Sequence, residues 1–381
     1  MPVPFARRQL RTLVLALISG PSVLAAQDDA ALLARARGIH ERVLTLDTHV
    51  DINPAVFRRD TVNYVTGVPR NQVDLPKMEA GGLDAAFLIV YVGQARTIDS
   101  ATMAAAYDAA MEKFAAIHRL TDTLAPARVG LARTAAEARA IAASGRKVVF
   151  IGIENGFPIG TDLGRIKQFA DLGGRYLSLA HNGHSQLSDS NTGERDGVWL
   201  HNGLSPLGRE AVAELNRQGV MIDISHPSKA SMLQTIALTR APIIASHSGV
   251  RAICNHSRNL DDEQLRAMQR NGGVVQLVAF NSYVKCGPSS NGARATVRDF
   301  VDHIDYTVKL IGIDHVGISS DFDGGGGVEG WRDASETFNV TLELVRRGYT
   351  EAQIAKIWSG NLLRVLDEVQ QMSARLQRQA R

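Results

Sequence analysis

His49-Val-Asp51 ends an apolar run and pairs two side chains that bind divalent transition metals, a neutral imidazole nitrogen and an anionic carboxylate. If Val43 to Val50 is a strand, alternation turns His49 and Asp51 to the same side. A plain hydrogen-bonded pair at a strand end has the same signature, so a metal site needs further ligands. Glu154, His181, His226, His247 and Asp321 follow other apolar runs and offer them.

Each has an ordinary explanation by itself. A histidine after a strand is commonly a satisfied loop residue, Glu154 before Asn155-Gly156 could open a turn, and Asp321 could cap one. Seven imidazoles and carboxylates at corresponding ends of six runs are not explained by independent turn preferences. Imidazole with carboxylate and no thiolate favours zinc, with manganese, cobalt or iron as alternatives. The set exceeds what one catalytic zinc needs with an open position kept, so a carboxylate such as Glu154 could bridge a second metal, as in two-metal hydrolysis.

The elements that must position these groups follow one theme. The apolar runs are 43–50, 85–92, 148–153, 176–180, 220–225, 242–246, 273–280 and 315–320. Helical patterns separate them at 100–120, 134–144, 162–172, 206–218, 228–238, 261–271 and 294–311, with a short helix expected before the first run at 28–42. Near-continuous apolar strands alternating with helices indicate a parallel sheet covered on both faces. Eight such units close into an α/β (β/α)8 TIM-type barrel, whose C-terminal strand ends carry the chemistry. Additional C-terminal helices are expected at 333–347 and 350–371, the second broken near Gly360. A doubly wound open sheet is the alternative, but no dinucleotide-type glycine fingerprint follows the first strand.

The 381 residues, 45% hydrophobic and 21% charged, suffice for a large buried core. A net charge of +3 with scattered Lys and Arg gives no indication of a nucleic-acid partner. Arg7, Arg8 and Arg11 precede an apolar segment ending at Ala25-Ala26, which reads as a signal peptide over residues 1–26 and leaves one catalytic domain over 27–381. That segment is too short, and too broken by Gly20-Pro21, for a membrane span. Export by the general or twin-arginine route would take the chain to the periplasm or outside the cell. In such an oxidising compartment Cys254 and Cys286 could pair; two separate buried thiols are the alternative. The polar, basic stretch 370–381 has no hydrophobic tail for a C-terminal lipid anchor.

Other groups carry less. Gly324 to Gly327 lacks the Lys and helix start of a phosphate loop and reads as a mobile active-site loop. His184, His201, His256, His303 and His315 read as non-ligands, and Asp323 is a closer case.

Together the motifs Asp-Thr-His-Val-Asp (47–51), Gly-Ile-Glu-Asn (152–155), Leu-Ala-His-Asn (179–182), Ile-Asp-Ile-Ser-His (222–226), Ser-His-Ser (246–248), Ser-Arg-Asn (257–259) and Ser-Asp-Phe-Asp-Gly (320–324) resemble the renal-type, or membrane, dipeptidases. These are zinc peptidases of the metal-dependent hydrolase group, and the resemblance runs from about Asp47 to Leu366. It implies that His49, Asp51 and Glu154 bind one zinc and Glu154, His226 and His247 a second, with Glu154 bridging. It implies that His181 contacts the substrate carbonyl and oxyanion, that Arg258 grips the terminal carboxylate, and that Asp321 handles protons. The expected reaction is dipeptide hydrolysis by a metal-bridged hydroxide, with a D-residue tolerated at the C-terminal position. A Cys254–Cys286 disulfide and a homodimer are further implications, whereas the lipid anchor of the mammalian members does not carry over.

Two rivals are weaker on the same residues. Many barrel hydrolases of lactones, phosphotriesters or cyclic amides bridge their metals with a carboxylated lysine after strand four, where this chain has His181. A metal-storage or binding protein on an inactivated barrel has no use for Arg258 and Asp321.

Overall fold

The computed structural model describes residues 1, 21–58, 62–287 and 292–379, with the backbone alone for 21–28. Most of the expected leader, including Arg7, Arg8 and Arg11, lies outside the described residues. A helix, Pro21–Arg42, leads into the first strand.

Nine strands form one sheet: β1 (Leu46–Asp51), β2 (Ala85–Tyr91), β3 (Val129–Leu131), β4 (Lys147–Glu154), β5 (Gly174–Ser178), β6 (Met221–Asp223), β7 (Ile244–Ser248), β8 (Val274–Val278) and β9 (Val316–Ser319). Eight run parallel in the order β1-β2-β4-β5-β6-β7-β8-β9, and β3 pairs with β4 beside them. The ring nearly closes through a parallel bridge between Val50 and Phe322, in which Asp51 N–H donates to Phe322 O at 2.9 Å. Ser320 N–H also donates to Asp47 Oδ1 at 2.9 Å across that seam. The eight expected runs are the eight strands of the barrel.

Burial explains why the runs lack alternation. In β4 every residue from Val148 to Glu154 is buried, because helices cover the outside and side chains fill the inside. The lumen is a packed core: Leu46, Phe87, Phe150, Tyr176, Met221, Ile244 and Val274 belong to one apolar cluster. Leu362, Leu363 and Leu366 of the final helix, Asn361–Gln379, join it. Asn361 Nδ2 donates to Ile313 O at 2.7 Å and Val316 O at 2.8 Å, so this helix seals the N-terminal end of the barrel. The expected break near Gly360 is a π-helical turn over Lys356–Gly360.

Several short elements escaped the pattern, among them a helix and a strand. Helix Leu75–Gly81 is short and depends on its cap, with Asp74 accepting from Lys77 N–H. Strand β3 has three residues, below the length at which a period can be read. No helix among the described residues is long and apolar enough to cross a membrane.

Cys254 and Cys286 form a disulfide with Cα atoms 5.3 Å apart. It ties the loop after β7, which carries Arg258, to the segment after β8, which carries Tyr283.

Candidate active site

All eight residues singled out by sequence meet at the C-terminal end of the barrel. Glu154 is the centre: its Oε1 lies 2.9 Å from His226 Nε2, 3.4 Å from His247 Nε2 and 3.6 Å from His181 Nε2, and its Oε2 lies 3.4 Å from His49 Nε2. His49 Nε2 is also 3.8 Å from Asp51 and 3.9 Å from Asp321. His49, Glu154, His226 and His247 are all buried.

Local backbone explains how the strand ends present these groups. Asn155, directly after Glu154, takes φ 75°, and Asp321 takes φ 58°; Asn and Asp tolerate this left-handed region better than other side chains. Asn155 anchors its turn by donating from Nδ2 to Val92 O and accepting from Phe157 N–H. The glycine run departs from the mobile loop expected for it. Gly324 and Gly326 N–H both donate to Asp321 O, and Gly327 N–H donates to Ala279 O. A Cβ on Gly324 would collide with the Asp51 and Asp321 carboxylates, and one on Gly326 with Ser320 O. Close backbone approach, rather than flexibility, accounts for glycine there.

The outer hydrogen bonds fix the imidazole tautomers. Tyr176 OH donates to Thr48 O, so it accepts from His49 Nδ1–H at 2.9 Å. Ser246 Oγ donates to Asp223 Oδ2 at 2.7 Å, so it accepts from His247 Nδ1–H at 2.8 Å. His226 Nδ1 faces Asn182 Oδ1 at 3.1 Å. With Nδ1 protonated in each ring, the three Nε2 atoms are the ones that aim inward at the Glu154 carboxylate.

The charges agree with that geometry. Burial, with Arg258 and either His181 or His49 nearby, holds His226 and His247 well below the usual histidine range, so both are neutral and able to ligate. Burial alone would lower His49, yet Glu154, Asp321 and Asp51 around it push it up to about 9. Burial also opposes ionisation of Glu154, but the histidines hold it well below the carboxylate range. Burial, then Asp51 and Glu154, raise Asp321 to about 8 against His49 and Arg258. The centre therefore demands positive charge, which a proton on His49 supplies and a metal ion would replace.

Metal ions fit these residues. His49, Asp51 and Glu154 form one group, and Glu154, His226 and His247 another, with the ligand atoms of each group within 4.8 Å of one another. His49 Nε2 and Asp51 Oδ1 are buried without hydrogen-bond partners. His226 Nε2 and His247 Nε2 lie 3.0 Å apart with both Nδ1 atoms engaged, an approach of lone pairs that a cation relieves.

A cavity of about 390 Å³ opens over the cluster. His181 lines it, its ring 4.7 Å from that of Tyr91. Arg258 is 2% exposed, donates to Ser225 O and to His247 O, and sets Nη2 3.1 Å from His226 Nε2. Its Nε is buried and unpartnered. Asp323 also borders the cavity, but its carboxylate accepts from Gln72 and Val73 N–H and so anchors a loop. The seven other histidines are satisfied elsewhere: His40 on Thr341 Oγ1 and Gly81 O, His118 on Leu172 O, His184 beside Asp189, His201 on Ser185 O, His256 against Tyr283, His303 between Val250 N–H and Val284 O, and His315 on Gly273 O. Tyr91, Lys113, Asn182 and Tyr283 also line the cavity. Of these, Tyr91 ends β2 and was within reach of the strand-end rule, whereas Lys113 had no such signal.

A TIM-type barrel with buried histidines and carboxylates gathered at its C-terminal end defines a metal-dependent hydrolase. Residues 33–380 match the membrane dipeptidase family, peptidase family M19, and the chain belongs to it. It is a metallo-dipeptidase, a hydrolase acting on peptide bonds. It is 34% identical to the dipeptidase aclJ of Aspergillus oryzae over 310 residues, covering 80% of this chain and 72% of that one. The crystal structure of the probable dipeptidase PvdM from Pseudomonas aeruginosa superposes with a TM-score of 0.83 at 32% identity, covering 90% of this chain and 99% of that one. A metallo peptidase from Rhodobacter sphaeroides, liganded with a phosphinate mimic of the dipeptide L-Ala-D-Ala, gives 0.75 at 26% identity over 86% of this chain and 99% of that one.

The Asp223–Ser246–His247 chain leads to a prediction. Ser246→Ala removes the acceptor that fixes the His247 tautomer and is expected to weaken metal binding about 10–100-fold. Titration of the metal-free protein with a competing chelator reads this out; unchanged affinity would remove Ser246 from any orienting role.

Proposed function

We propose that the chain is a binuclear zinc dipeptidase, with His49, Asp51 and Glu154 holding one ion, Glu154, His226 and His247 the other, and Glu154 bridging. The carrying observation is that two ligand groups share that one carboxylate. When bound, the ions acidify a water to serve as nucleophile and supply positive charge for the carbonyl oxygen.

The chain's own groups do the rest. Arg258 receives the substrate's C-terminal carboxylate on its unpartnered Nε–H and an adjacent Nη–H, a side-on fork suited to two oxygens. That contact sets the scissile carbonyl over Glu154 and excludes longer chains, whose carboxylate would lie too far away. His181 donates to the developing oxyanion from the cavity wall. Asp321, whose ionised form would be favoured once positive ions offset the Asp51 and Glu154 charges beside it, would accept the proton of the attacking water and return it to the leaving amine. A D-residue at the C-terminal position is part of this proposal, supported by the L-Ala-D-Ala mimic held by the Rhodobacter relative. Export is supported by the leader sequence and by the disulfide.

Elemental analysis combined with a dipeptide panel tests the proposal. Two zinc equivalents per chain are expected, with L-Ala-D-Ala and L-Ala-L-Ala both cleaved, activity lost to chelator and regained with zinc. Less than one metal per chain, or chelator-insensitive cleavage, would refute it.

A further inference from the structure

Lys113 has no role in the chemistry above, yet it stands in the catalytic cavity. It comes from helix Ser100–Arg119, which follows β2, and lines the cavity with Asp51, Tyr91 and Glu154. Its Nζ lies 5.3 Å from the Tyr91 ring centroid, and no carboxylate is within salt-bridge distance of it among the described residues. Burial lowers its pKa, while Asp51 and Glu154 pull it back.

The ring order gives its position meaning. Arg258 belongs to the loop after β7, and β2 and β7 stand four places apart in an eight-strand ring. The two cations therefore face each other across the metal ligands. A dipeptide whose C-terminal carboxylate sits on Arg258 and whose carbonyl sits over Glu154 must send its N-terminal residue towards β2. That wall is Tyr91 and Lys113. Once Asp51 and Glu154 are committed to metal ions, Lys113 has lost the charges that balance it. An acid on the substrate's first side chain restores the balance, whereas a neutral side chain leaves a half-buried ammonium unmatched.

We propose that Lys113 is a specificity-determining residue that selects dipeptides with an acidic N-terminal residue, aspartyl or glutamyl, by pairing with the side-chain carboxylate. This rests on the dipeptidase reading and on Arg258 as the anchor for the opposite end. The alternative is a lysine that merely packs on Tyr91 as a cation over an aromatic face.

The test compares kcat/KM for L-Glu-L-Ala and L-Gln-L-Ala, near-isosteric substrates that differ in one charge. The readout is the ratio, because general damage to the enzyme cancels in it. The native protein is expected to favour the glutamyl substrate by about tenfold, the effect of one partly desolvated ion pair. Lys113→Met should bring the ratio to about one, and Lys113→Glu should invert it, which misfolding cannot do. A native ratio near one, or a tenfold ratio that survives Lys113→Met, overturns the assignment while cleavage of L-Ala-L-Ala leaves the dipeptidase reading standing. Failure to cleave any of the three dipeptides removes both.

Discussion

Glu154→Gln is expected to lower dipeptide turnover at least about a thousandfold, equivalent to roughly 4 kcal/mol of transition-state stabilisation. It is also expected to reduce bound metal from two ions to fewer than one per chain. The exchange is almost isosteric, so packing survives, but the group that three imidazole nitrogens approach within 2.9–3.4 Å loses its charge. A neutral amide offers one ligand oxygen and an N–H₂ that faces the same nitrogens, so neither group of ligands is complete. Glu154 is also the strongest influence raising His49, so His49 should fall from about 9 in the metal-free variant. NMR titration of that ring provides a readout independent of activity. Glu154→Asp separates charge from reach: a carboxylate one methylene shorter should keep one ion better than two. If Glu154→Gln retained two metals and lost less than tenfold in rate, the bridging role would be wrong.

The barrel was legible because parallel strands under helices must be apolar on both faces. Runs such as Val148 to Ile153 therefore stand out without alternation. The metal cluster was legible for a related reason. A charged or imidazole side chain ending an apolar strand has left the core, and in a barrel all such ends meet. What stayed hidden depends on tertiary placement. Asp223 and Ser246 face into the lumen below the cluster, where they orient His247, and single polar residues inside strands gave no indication of that direction. Lys113 lies inside an Ala-rich helix with few charges, and which of that helix's faces meets the cavity is decided by packing. The Gly324–Gly327 stretch shows the converse error. Glycine signals freedom in sequence, but here it admits backbone so close to Asp51 and Asp321 that no side chain fits.

Arg258 offers the second large effect, and its contacts decide how it must be tested. The guanidinium donates to Ser225 O and His247 O, beside His226 and His247, so its removal could disturb the proposed metal positions as well as the substrate. A rate loss in Arg258→Met therefore identifies nothing alone. Pairing the variant with a changed substrate does. For the native enzyme, converting the dipeptide's terminal carboxylate to an amide should cost about 10²–10³-fold in kcat/KM, the scale of breaking a buried, hydrogen-bonded charge pair. Arg258→Met acting on the free acid should lose a similar factor. The two changes together should cost little more than either alone, because each removes the same contact, and the acid-to-amide ratio of the variant should approach one. Metal content should stay at two per chain. Indirect disturbance of His226 or His247 would instead slow both substrates equally and preserve their ratio. Arg258→Lys adds a point between: it keeps the charge but not the fork, so the ratio should recover only in part. An acid-to-amide ratio in Arg258→Met equal to that of the native enzyme would show that the carboxylate is recognised elsewhere, and Arg258 would be left as a brace between the strand ends that carry His226 and His247.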